Sequence, residues 1–545
     1  MKQITLCCSA LFITFSAIGQ KTKNDIGNLF SEWNNANGPG GVVLVTHKNQ
    51  IVFSNAYGLA NITYGVPVDT ETLFNIGSLS KQFTAMAIVL LQLEGKLSVD
   101  DEIQKYLPEM PYFDKPITIR HLLHHTSGLR SSPELFGLAG WRDGDAITND
   151  DVYRYLAKQV DLNFEAGSEY MYSNSGYILL AKIIENVTKQ DFKNWLREKI
   201  FQPFQMNSTF IEEDHAAIVS KIASSYTQTG PAAYKNIENY DLTFGASNVY
   251  TTGADLLKWT KSFQEAPKEW KSAFALLETL DDLNSGKKNN YAFGIVVDDF
   301  FGNRRIQHTG GIAGFQSIMY CYPDEDLEIV ILSNFTSNQL DKIADQISQL
   351  FLENKSIVTR NEVTSNPVKL NAGILKKHEG MYWNDTDNYS RKIYLEGDVL
   401  WYLRSNNKKS PLIPVSETEF QMGGIDETIR IKFEDRSNKM QLISSDSSIE
   451  FEKYEDKATT IEELTSYTGK YYSPELETSY TISLKEGQLY GYHSRFGEFE
   501  INILKKDVLS WSGMLISKYV RDKNGKALGM KITMNRIRNL WFEKR

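Results

Sequence analysis

The amino-acid sequence predicts an α/β domain, an antiparallel sheet flanked by helices, followed by two all-β barrel-like domains. β-rich runs lie near both ends of the first 355 residues, and a mostly helical region lies between them. Beyond that domain, one β-rich segment occurs twice. A chain of 545 residues is also too long for a single hydrophobic core, so several domains are expected.

The predicted sheet takes its strands from both ends of the first domain. The run GGVVLVTHKNQIVFSNAYG, from Gly40, contains two β-rich stretches joined by a polar turn at residues 48–50. Between Tyr291 and Asn334 follow three β-rich runs, YAFGIVVDD, RRIQHTGGIAGFQSIMYCYP and LEIVILSN. The helical period returns in DKIADQISQLFLEN, from Asp341. Strands from both ends with covering helices predict a layered α/β domain.

The helical part of the domain runs from Ser80 to about Phe201 and is interrupted by loops such as HTSGLRSSPELFG. Two stretches have the pattern of buried or amphipathic helices, Thr84–Leu93 and Tyr177–Val187.

A polar, aperiodic segment, KSIVTRNEVTSNPVKL, predicts a linker that separates the α/β domain from the repeat. The repeat pairs Gly380 with Gly469 and Tyr382 with Tyr471, and FEK closes both copies, at an offset of 89 to 91 residues. Alternating short runs with frequent turns predict two small antiparallel barrels or sandwiches. The predicted domains are 20–355, a linker 356–372, and barrels 373–456 and 457–545.

The N-terminus has the pattern of an export signal. Lys2 precedes the apolar run LCCSALFITFSAIG, and small residues precede a predicted cut before Gln20, so residues 1–19 are expected to be a signal peptide. An uncleaved membrane anchor is the alternative. Cleavage would leave Cys321 alone, without a possible intrachain disulfide. We therefore expect a periplasmic or secreted protein.

Charge and composition exclude some classes of partner. The formal net charge is −9, with 41% hydrophobic and 23% charged residues, which is typical of a globular protein. This balance provides no electrostatic basis for binding nucleic acid or an anionic membrane. The expected partner is a small-molecule or peptide substrate.

The stretch FNIGSLSKQFTAMAIVLLQLEG places Ser78 and Lys81 three positions apart before an apolar helix. On a helix these side chains share one face, so a buried lysine can take the proton of the serine hydroxyl. Serine is also a favoured helix cap, and the same spacing recurs at Ser285 and Ser405. Ser78 is therefore either a cap or a nucleophile.

Two further motifs contain residue types that serve such a nucleophile. Tyr172 and Asn174 precede the second helix, where a tyrosine can shuttle protons and an amide can orient a lysine. The alternative is a solvated turn with a core tyrosine. His308-Thr309-Gly310-Gly311 is predicted at the start of a strand, where glycines let a substrate approach. A structural histidine and a glycine bulge are the alternatives.

At these three motifs the sequence resembles the serine β-lactamase and D-Ala-D-Ala peptidase superfamily, in its class C-like branch. SLSK, YSN and HTG occur in the family's order, with separations of 94 and 136 residues, and PGGVVLV, ITIRHLLHHTSGL, FEAGSEYMYSN and LEIVILSN resemble its scaffold. The resemblance covers roughly residues 25–352. The two barrels resemble the layout of the family's D-aminopeptidases, where such barrels can shape the active site.

The resemblance implies the role of each motif residue. Ser78 would be the acylated nucleophile, Lys81 and Tyr172 its catalytic partners, and the backbone N–H groups of Ser78 and Gly311 the oxyanion hole. The residues that would bind substrate are Asn174, His308, Thr309 and Gly310. No metal or other cofactor is implied.

One motif departs from the commoner family pattern. His308 stands where many members have a lysine, and histidine is mostly neutral near pH 7. Histidine here is familiar in esterase and D-aminopeptidase-like members, and it argues against an efficient β-lactamase or carboxypeptidase. The neighbouring HLLHHTSGL, with His121, His124 and His125, suggests a metal, but its place in the family scaffold predicts structural roles.

The resulting functional hypothesis is an exported serine hydrolase acting on amide or ester bonds. A D-amino-acid peptidase or carboxypeptidase comes first, and an esterase or weak β-lactamase second. A non-catalytic penicillin-recognising or structural protein is the alternative of another class. The presence of Ser78, Lys81 and Tyr172 favours the enzyme.

Overall fold

The computed structural model describes residues 22–212, 214, 216–336, 339–355, 367–404, 408–425, 428–434, 438–444, 448–455, 460–513 and 515–545. The chain divides into two compact units, Met1–Ile357 and Val358–Arg545. The predicted signal peptide and residues 356–366 of the predicted linker lie outside the described residues. Within the described ranges, no helix combines the length and apolar character needed to cross a bilayer.

The first unit contains ten helices and thirteen strands among its described residues. The helices are α1 (22–29), α2 (Lys81–Leu93), α3 (Ile119–Leu123), α4 (Ser132–Ala139), α5 (Asn149–Leu156), α6 (Asn174–Thr188), α7 (Phe192–Leu196), α8 (Gly253–Lys261), α9 (Lys271–Leu277) and α10 (Leu340–Gln349). The strands are β1 (Gly41–His47), β2 (Gln50–Tyr57), β3 (Leu59–Asn61), β4 (Val66–Pro67), β5 (Phe74–Asn75), β6 (Phe210–Ile211), β7 (Tyr226–Gly230), β8 (Ala233–Asn236), β9 (Val249–Thr251), β10 (Val296–Phe300), β11 (Asn303–Ile312), β12 (Phe315–Tyr322) and β13 (Leu327–Ser333).

The central sheet has six antiparallel strands in the order β10-β11-β12-β13-β1-β2, which confirms the predicted α/β class. The pairing of Gly41 with Ser333 joins the two ends of the domain in one sheet. Lys48 and Asn49 form the β1–β2 turn with φ of 51° and 59°, the two-residue geometry that suits strand twist. Apolar side chains of α1 and α10 pack in the core against this sheet.

The run RRIQHTGGIAGFQSIMYCYP, predicted as one strand, is the hairpin β11–β12. Ala313, with φ of 49°, begins the two-residue turn. The register continues without a shift from Ile306–Cys321 to Ile312–Phe315, so the glycine bulge considered above does not form. His308 consequently lies in the second half of β11, and the prediction that placed it at a strand start was wrong.

Two buried helices occur where the sequence predicts them, but each begins three residues earlier. Helix α2 begins at Lys81 rather than Thr84, after a 3₁₀ turn at Gly77–Ser80. Helix α6 begins at Asn174 rather than Tyr177. Polar residues occupy the first turn of each helix, so the apolar pattern misses that turn. These first turns carry the residues of the candidate site.

The second unit contains the two predicted barrels, and each is a closed barrel of eight antiparallel strands. The first follows α11 (Ala372–Lys377) and contains β14 (Gly380–Asn384), β15 (Tyr389–Glu396), β16 (Val399–Leu403), β17 (Lys409–Pro414), β18 (Glu419–Met422), β19 (Arg430–Phe433), β20 (Lys439–Ile443) and β21 (Ser448–Tyr454). The second follows α12 (Ile461–Tyr467) and contains β22 (Gly469–Ser473), β23 (Thr478–Lys485), β24 (Gln488–His493), β25 (Gly497–Lys505), β26 (Val508–Trp511), β27 (Leu515–Arg521), β28 (Ala527–Met534) and β29 (Ile537–Lys544).

The repeated residues occupy equivalent places in the two barrels. The hydroxyl of Tyr382 donates to the His378 carbonyl over 2.9 Å, and that of Tyr471 donates to the Tyr467 carbonyl over 2.8 Å. These bonds tie the first strand of each barrel to the short helix before it. The shared contact explains why tyrosine recurs in both copies of the repeat.

Candidate active site

Ser78 lies in a 3₁₀ turn that is shaped by its neighbours. The Gly77 N–H donates to the Asn75 side chain over 2.9 Å, and Gly77 has φ of 50°, a conformation that favours glycine. Helix α2 is preceded by Ser80, whose hydroxyl instead accepts from the Val249 N–H over 3.1 Å. The Ser78 side chain does not cap α2, so the alternative of an ordinary helix cap is wrong.

Lys81 is fully buried one turn from Ser78. Its Nζ donates over 3.1 Å to Ser78 Oγ, over 2.9 Å to Asn174 Oδ1 and over 2.9 Å to the Ala246 carbonyl. The Tyr172 ring centroid lies 4.8 Å from the same nitrogen. Two of the sequence-predicted motifs therefore meet at one amine, which can exchange a proton with the serine hydroxyl when the amine is neutral.

The third motif lies against the turn that carries Ser78. A Cβ added to Gly310 would come within 2.0 Å of the Ile76 carbonyl oxygen, and one added to Gly77 would lie 2.7 Å from Gly311 N. The Ser317 hydroxyl donates to the Ile76 carbonyl over 2.8 Å. Strand β11 is thus packed closely against the turn that carries Ser78, and only glycine permits this approach.

The hairpin register sets the direction of the Gly311 N–H. Ile312 and Phe315 close a two-residue turn, and hydrogen-bonded pairs alternate along an antiparallel ladder. Gly311 therefore belongs to a non-hydrogen-bonded pair with Gln316, and the Gly311 N–H points away from β12. Strand β10 ends its pairing at Gln307, so it does not cover Gly311. Thr309, two residues earlier on β11, is exposed to solvent.

His308 is buried and both of its ring nitrogens are bonded. Nδ1 lies 2.6 Å from the Thr309 carbonyl, which can only accept, so Nδ1 carries the proton. Nε2 therefore accepts from the Tyr291 hydroxyl, 3.0 Å away. Burial, and then the charge of Lys81, lower the pKa of His308 to about 3. At neutral pH the ring is uncharged.

The histidines of HLLHHTSGL each have a separate partner. His121 Nδ1 accepts from the Thr118 N–H over 3.1 Å, and His124 Nδ1 donates to the Tyr291 carbonyl over 2.7 Å. His125 Nδ1 accepts from the Ser173 N–H over 3.1 Å. In the part of the chain that the structure describes, no three His, Cys, Asp or Glu side chains are grouped to hold a metal.

Sequence reasoning missed several groups that complete the site. Tyr291 was assigned to a β-rich run, and the Ala246 carbonyl belongs to a segment without any motif. Tyr177, whose ring lies 5.6 Å from Lys81 Nζ, follows Asn174 by three positions on α6. That helical spacing is a signal that can be read from the sequence. The contacts of Tyr291 and Ala246 depend on tertiary structure and leave no such signal.

The fold and the grouped motifs define a serine hydrolase family. Residues 28–351 match the family model described as Beta-lactamase, and the chain belongs to this family. The recognition of the serine β-lactamase and peptidase superfamily from the sequence is thereby confirmed.

Three similar proteins cover between 62% and 79% of the chain. Penicillin-binding protein 4* of Bacillus subtilis is 28% identical over 458 residues, which cover 79% of this chain and 98% of the relative. An octameric penicillin-binding protein homologue from Pyrococcus abyssi has a TM-score of 0.54 at 22% identity, covering 79% of this chain and 99% of its own. A class C beta-lactamase has a TM-score of 0.50 at 22% identity, covering 62% and 98%.

Proposed function

We propose that this protein hydrolyses amide or ester bonds through an acyl-enzyme on Ser78. The observation that carries the proposal is the Lys81 amine, which bonds to both Ser78 Oγ and Asn174 Oδ1 beside the Tyr172 ring. A buried amine with this set of contacts would accept the serine proton when it is neutral, and Tyr172, whose ring centroid lies 4.8 Å from the amine, would share that proton.

The reaction would proceed in two balanced steps. Ser78 Oγ bonds to the carbonyl carbon, and the bond from that carbon to the leaving nitrogen or oxygen breaks. The serine proton passes through Lys81 and Tyr172 to the departing amine or alcohol. A water then attacks the acyl-enzyme ester, gives its proton back along the same path, and regenerates the Ser78 hydroxyl. No cofactor is required by either step.

The negative oxygen formed in each step would be held by backbone donors. The N–H of Gly311 points away from β12, and Gly77 beside Ser78 lies close to it. N–H groups of Ser78 and Gly311 at this junction would stabilise the oxyanion. Asn174 and the β11 segment that includes His308, Thr309 and Gly310 would then orient the substrate.

We propose D-amino-acid peptides as the substrate class. The part of the substrate that lies near His308 would be uncharged. A neutral His308 with both nitrogens engaged offers no cation for a terminal carboxylate. This favours aminopeptidase-type or amide cleavage over carboxypeptidase cleavage. The same observation favours an esterase as the second candidate, because an ester substrate also needs no carboxylate contact.

A labelled fluorophosphonate tests the nucleophile directly. We expect covalent labelling of the wild type, its loss in Ser78→Ala, and its retention in Ser285→Ala. Ser285 is the matched control because it starts a second Ser-x-x-Lys sequence and is exposed. Turnover of D-alanyl amides, aryl esters and a cephalosporin would then rank the substrates. No labelling and no turnover would support the non-catalytic alternative.

We also propose that the protein acts outside the cytoplasm. The support is the charged and apolar sequence before Gln20. Fractionation of expressing cells and N-terminal sequencing of the product are the test. A mature chain that begins at Gln20 in the exported fraction is expected, and an unprocessed cytoplasmic chain would contradict the proposal.

A further inference from the structure

His125 contacts the three residues around Tyr172 in succession. Its carbonyl accepts from the Met171 N–H over 2.9 Å, and its Nδ1 accepts from the Ser173 N–H over 3.1 Å. Between these bonds its ring centroid lies 4.2 Å from that of Tyr172. The backbone on both sides of Tyr172 and the phenol ring itself are therefore held by one residue.

The backbone of His125 is itself held in an unusual conformation. Its φ is 57°, in the left-handed region that few residues other than glycine adopt, and its side chain is buried. Such a conformation persists only where the surroundings impose it, and it is often found at functional sites. The conformation directs both the carbonyl and the ring of His125 at the segment that carries Tyr172.

The hydrogen bond to Ser173 defines the protonation state of His125. A backbone N–H can only donate, so Nδ1 must be unprotonated and the neutral ring carries its proton on Nε2. A second proton would enter Nδ1 and turn the acceptor into a donor that faces the Ser173 N–H. Protonation therefore removes one of the two bonds that hold this segment.

Titratable or charged groups from four elements lie around the ring. They are Tyr170 and Tyr172 before α6, Tyr177 on α6, Tyr291 before β10 and, beyond the Tyr172 ring, Lys81 on α2. None of these groups is a carboxylate that would stabilise an imidazolium. The neutral ring suits this environment.

We propose that His125 is a positioning residue for Tyr172, which keeps the phenol beside Lys81 only while the imidazole is neutral. The inference rests on the proposed function, because it assigns Tyr172 a part in proton transfer. His125 touches no reacting atom. It acts through the position of Tyr172, and acid would reduce activity by loosening that position.

Two variants and one control test this proposal by steady-state kinetics on an aryl ester. His125→Ala should lower kcat by about 100-fold with little change in KM, since small displacements of a catalytic group cost that much. His125→Asn should recover most of the activity, because its side-chain oxygen can accept from Ser173 and asparagine tolerates positive φ. His121→Asn, four positions earlier in the same HLLHHTSGL motif, should resemble the wild type.

A double-mutant cycle separates positioning from a general structural role. If His125 acts through Tyr172, then His125→Ala should cause no further loss of kcat in a Tyr172→Phe background. The acid-side inflection of the kcat profile that belongs to His125 should also be absent in His125→Asn. Additive losses in the double variant, or an unchanged acid inflection in His125→Asn, would overturn the proposal.

The same experiments distinguish two kinds of failure. If Ser78→Ala or Tyr172→Phe retains full activity, the proposed function itself is wrong. If Ser78→Ala is inactive and Tyr172→Phe keeps a small residual kcat that His125→Ala lowers further by its full factor, only the positioning role is wrong. Circular dichroism of each variant checks folding, and the recovery in His125→Asn keeps the test informative if His125→Ala folds poorly.

Discussion

The hydroxyl of Tyr291 donates to Nε2 of His308 over 3.0 Å, while Nδ1 of the same ring bonds to the Thr309 carbonyl. The two side chains form a neutral pair at the position where many family members have a lysine. The pair explains how this chain keeps a buried histidine beside the Lys81 amine without placing two positive charges together.

Removing the Tyr291 hydroxyl should destabilise the first unit. In Tyr291→Phe the buried Nε2 of His308 loses its donor, which costs about 1–3 kcal/mol. Urea denaturation followed by tryptophan fluorescence measures this loss. Tyr64→Phe is the matched control because Tyr64 is 82% exposed, and it should change nothing. Equal stability of Tyr291→Phe and wild type would contradict the role of the hydroxyl.

The stability of the protein should depend on pH through His308. Its pKa of about 3 when folded lies below the ordinary value of 6.5, so the unfolded chain binds the proton that the folded state excludes. Stability is therefore lost as pH falls from 6.5 toward 3. His308→Gln should reduce this slope by up to about 1.4 kcal/mol per pH unit.

The measurement is the free energy of unfolding between pH 6.5 and 5, compared between wild type and His308→Gln. Other groups titrate in both proteins, so the difference between the two curves isolates His308. Parallel curves would show that the imidazole gains its proton equally in the folded and unfolded states.

Two adjacent glycines should respond differently to substitution. A Cβ on Gly310 would meet the Ile76 carbonyl and the Ser317 hydroxyl at 2.0 and 2.3 Å, whereas one on Gly311 has Phe315 O as its nearest neighbour, at 4.0 Å. Gly310→Ala should cost about 1–3 kcal/mol by overpacking and should displace the Ser78 turn. Gly311→Ala should leave thermal unfolding unchanged. Equal stability of both variants would contradict the close approach of β11.

The buried carboxyl of Glu328 in the sheet should lower the free energy of unfolding at high pH. Glu328 is 1% exposed, accepts from the Thr46 hydroxyl, and has its pKa raised by burial. Because the folded pKa lies above the unfolded one, stability is lost as pH rises through the folded value. The stability of Glu328→Gln relative to wild type should therefore be greater at pH 8 than at pH 5.

Urea denaturation at the two pH values measures this difference. Glu71→Gln is the control, since Glu71 is exposed. A relative stability of Glu328→Gln that is the same at both pH values would contradict the raised pKa.

The sequence predicted the layered fold, the repeat and the three motifs because each leaves a local pattern. The apolar period, the glycine pairs and the order of the motifs can all be read directly from the sequence. The burial of Lys81 also followed from the apolar helix that contains it. The full set of contacts at His308 did not follow, since the Tyr291 hydroxyl that donates to its Nε2 approaches only in the folded chain.

The same distinction explains the errors at element boundaries. The 3₁₀ turn at Gly77–Ser80 and the start of α6 at Asn174 lie where polar catalytic-type residues interrupt the hydrophobic period. The hairpin β11–β12 was predicted as one strand because Ala313 and Gly314 are a weak turn signal between apolar residues. Local sequence rules are least informative at the residues that form the site.

The pairing of β1 with β13 also has a consequence for how the protein is made. The apolar strand β1 emerges early in synthesis. One of its two neighbours in the sheet is β13, which is the last of the sheet's strands to be synthesised. Contacts so distant in sequence close slowly, and an unpaired apolar strand is prone to association with other chains. The nascent β1–β2 hairpin therefore leaves one edge of β1 open to association until the ribosome has completed β13.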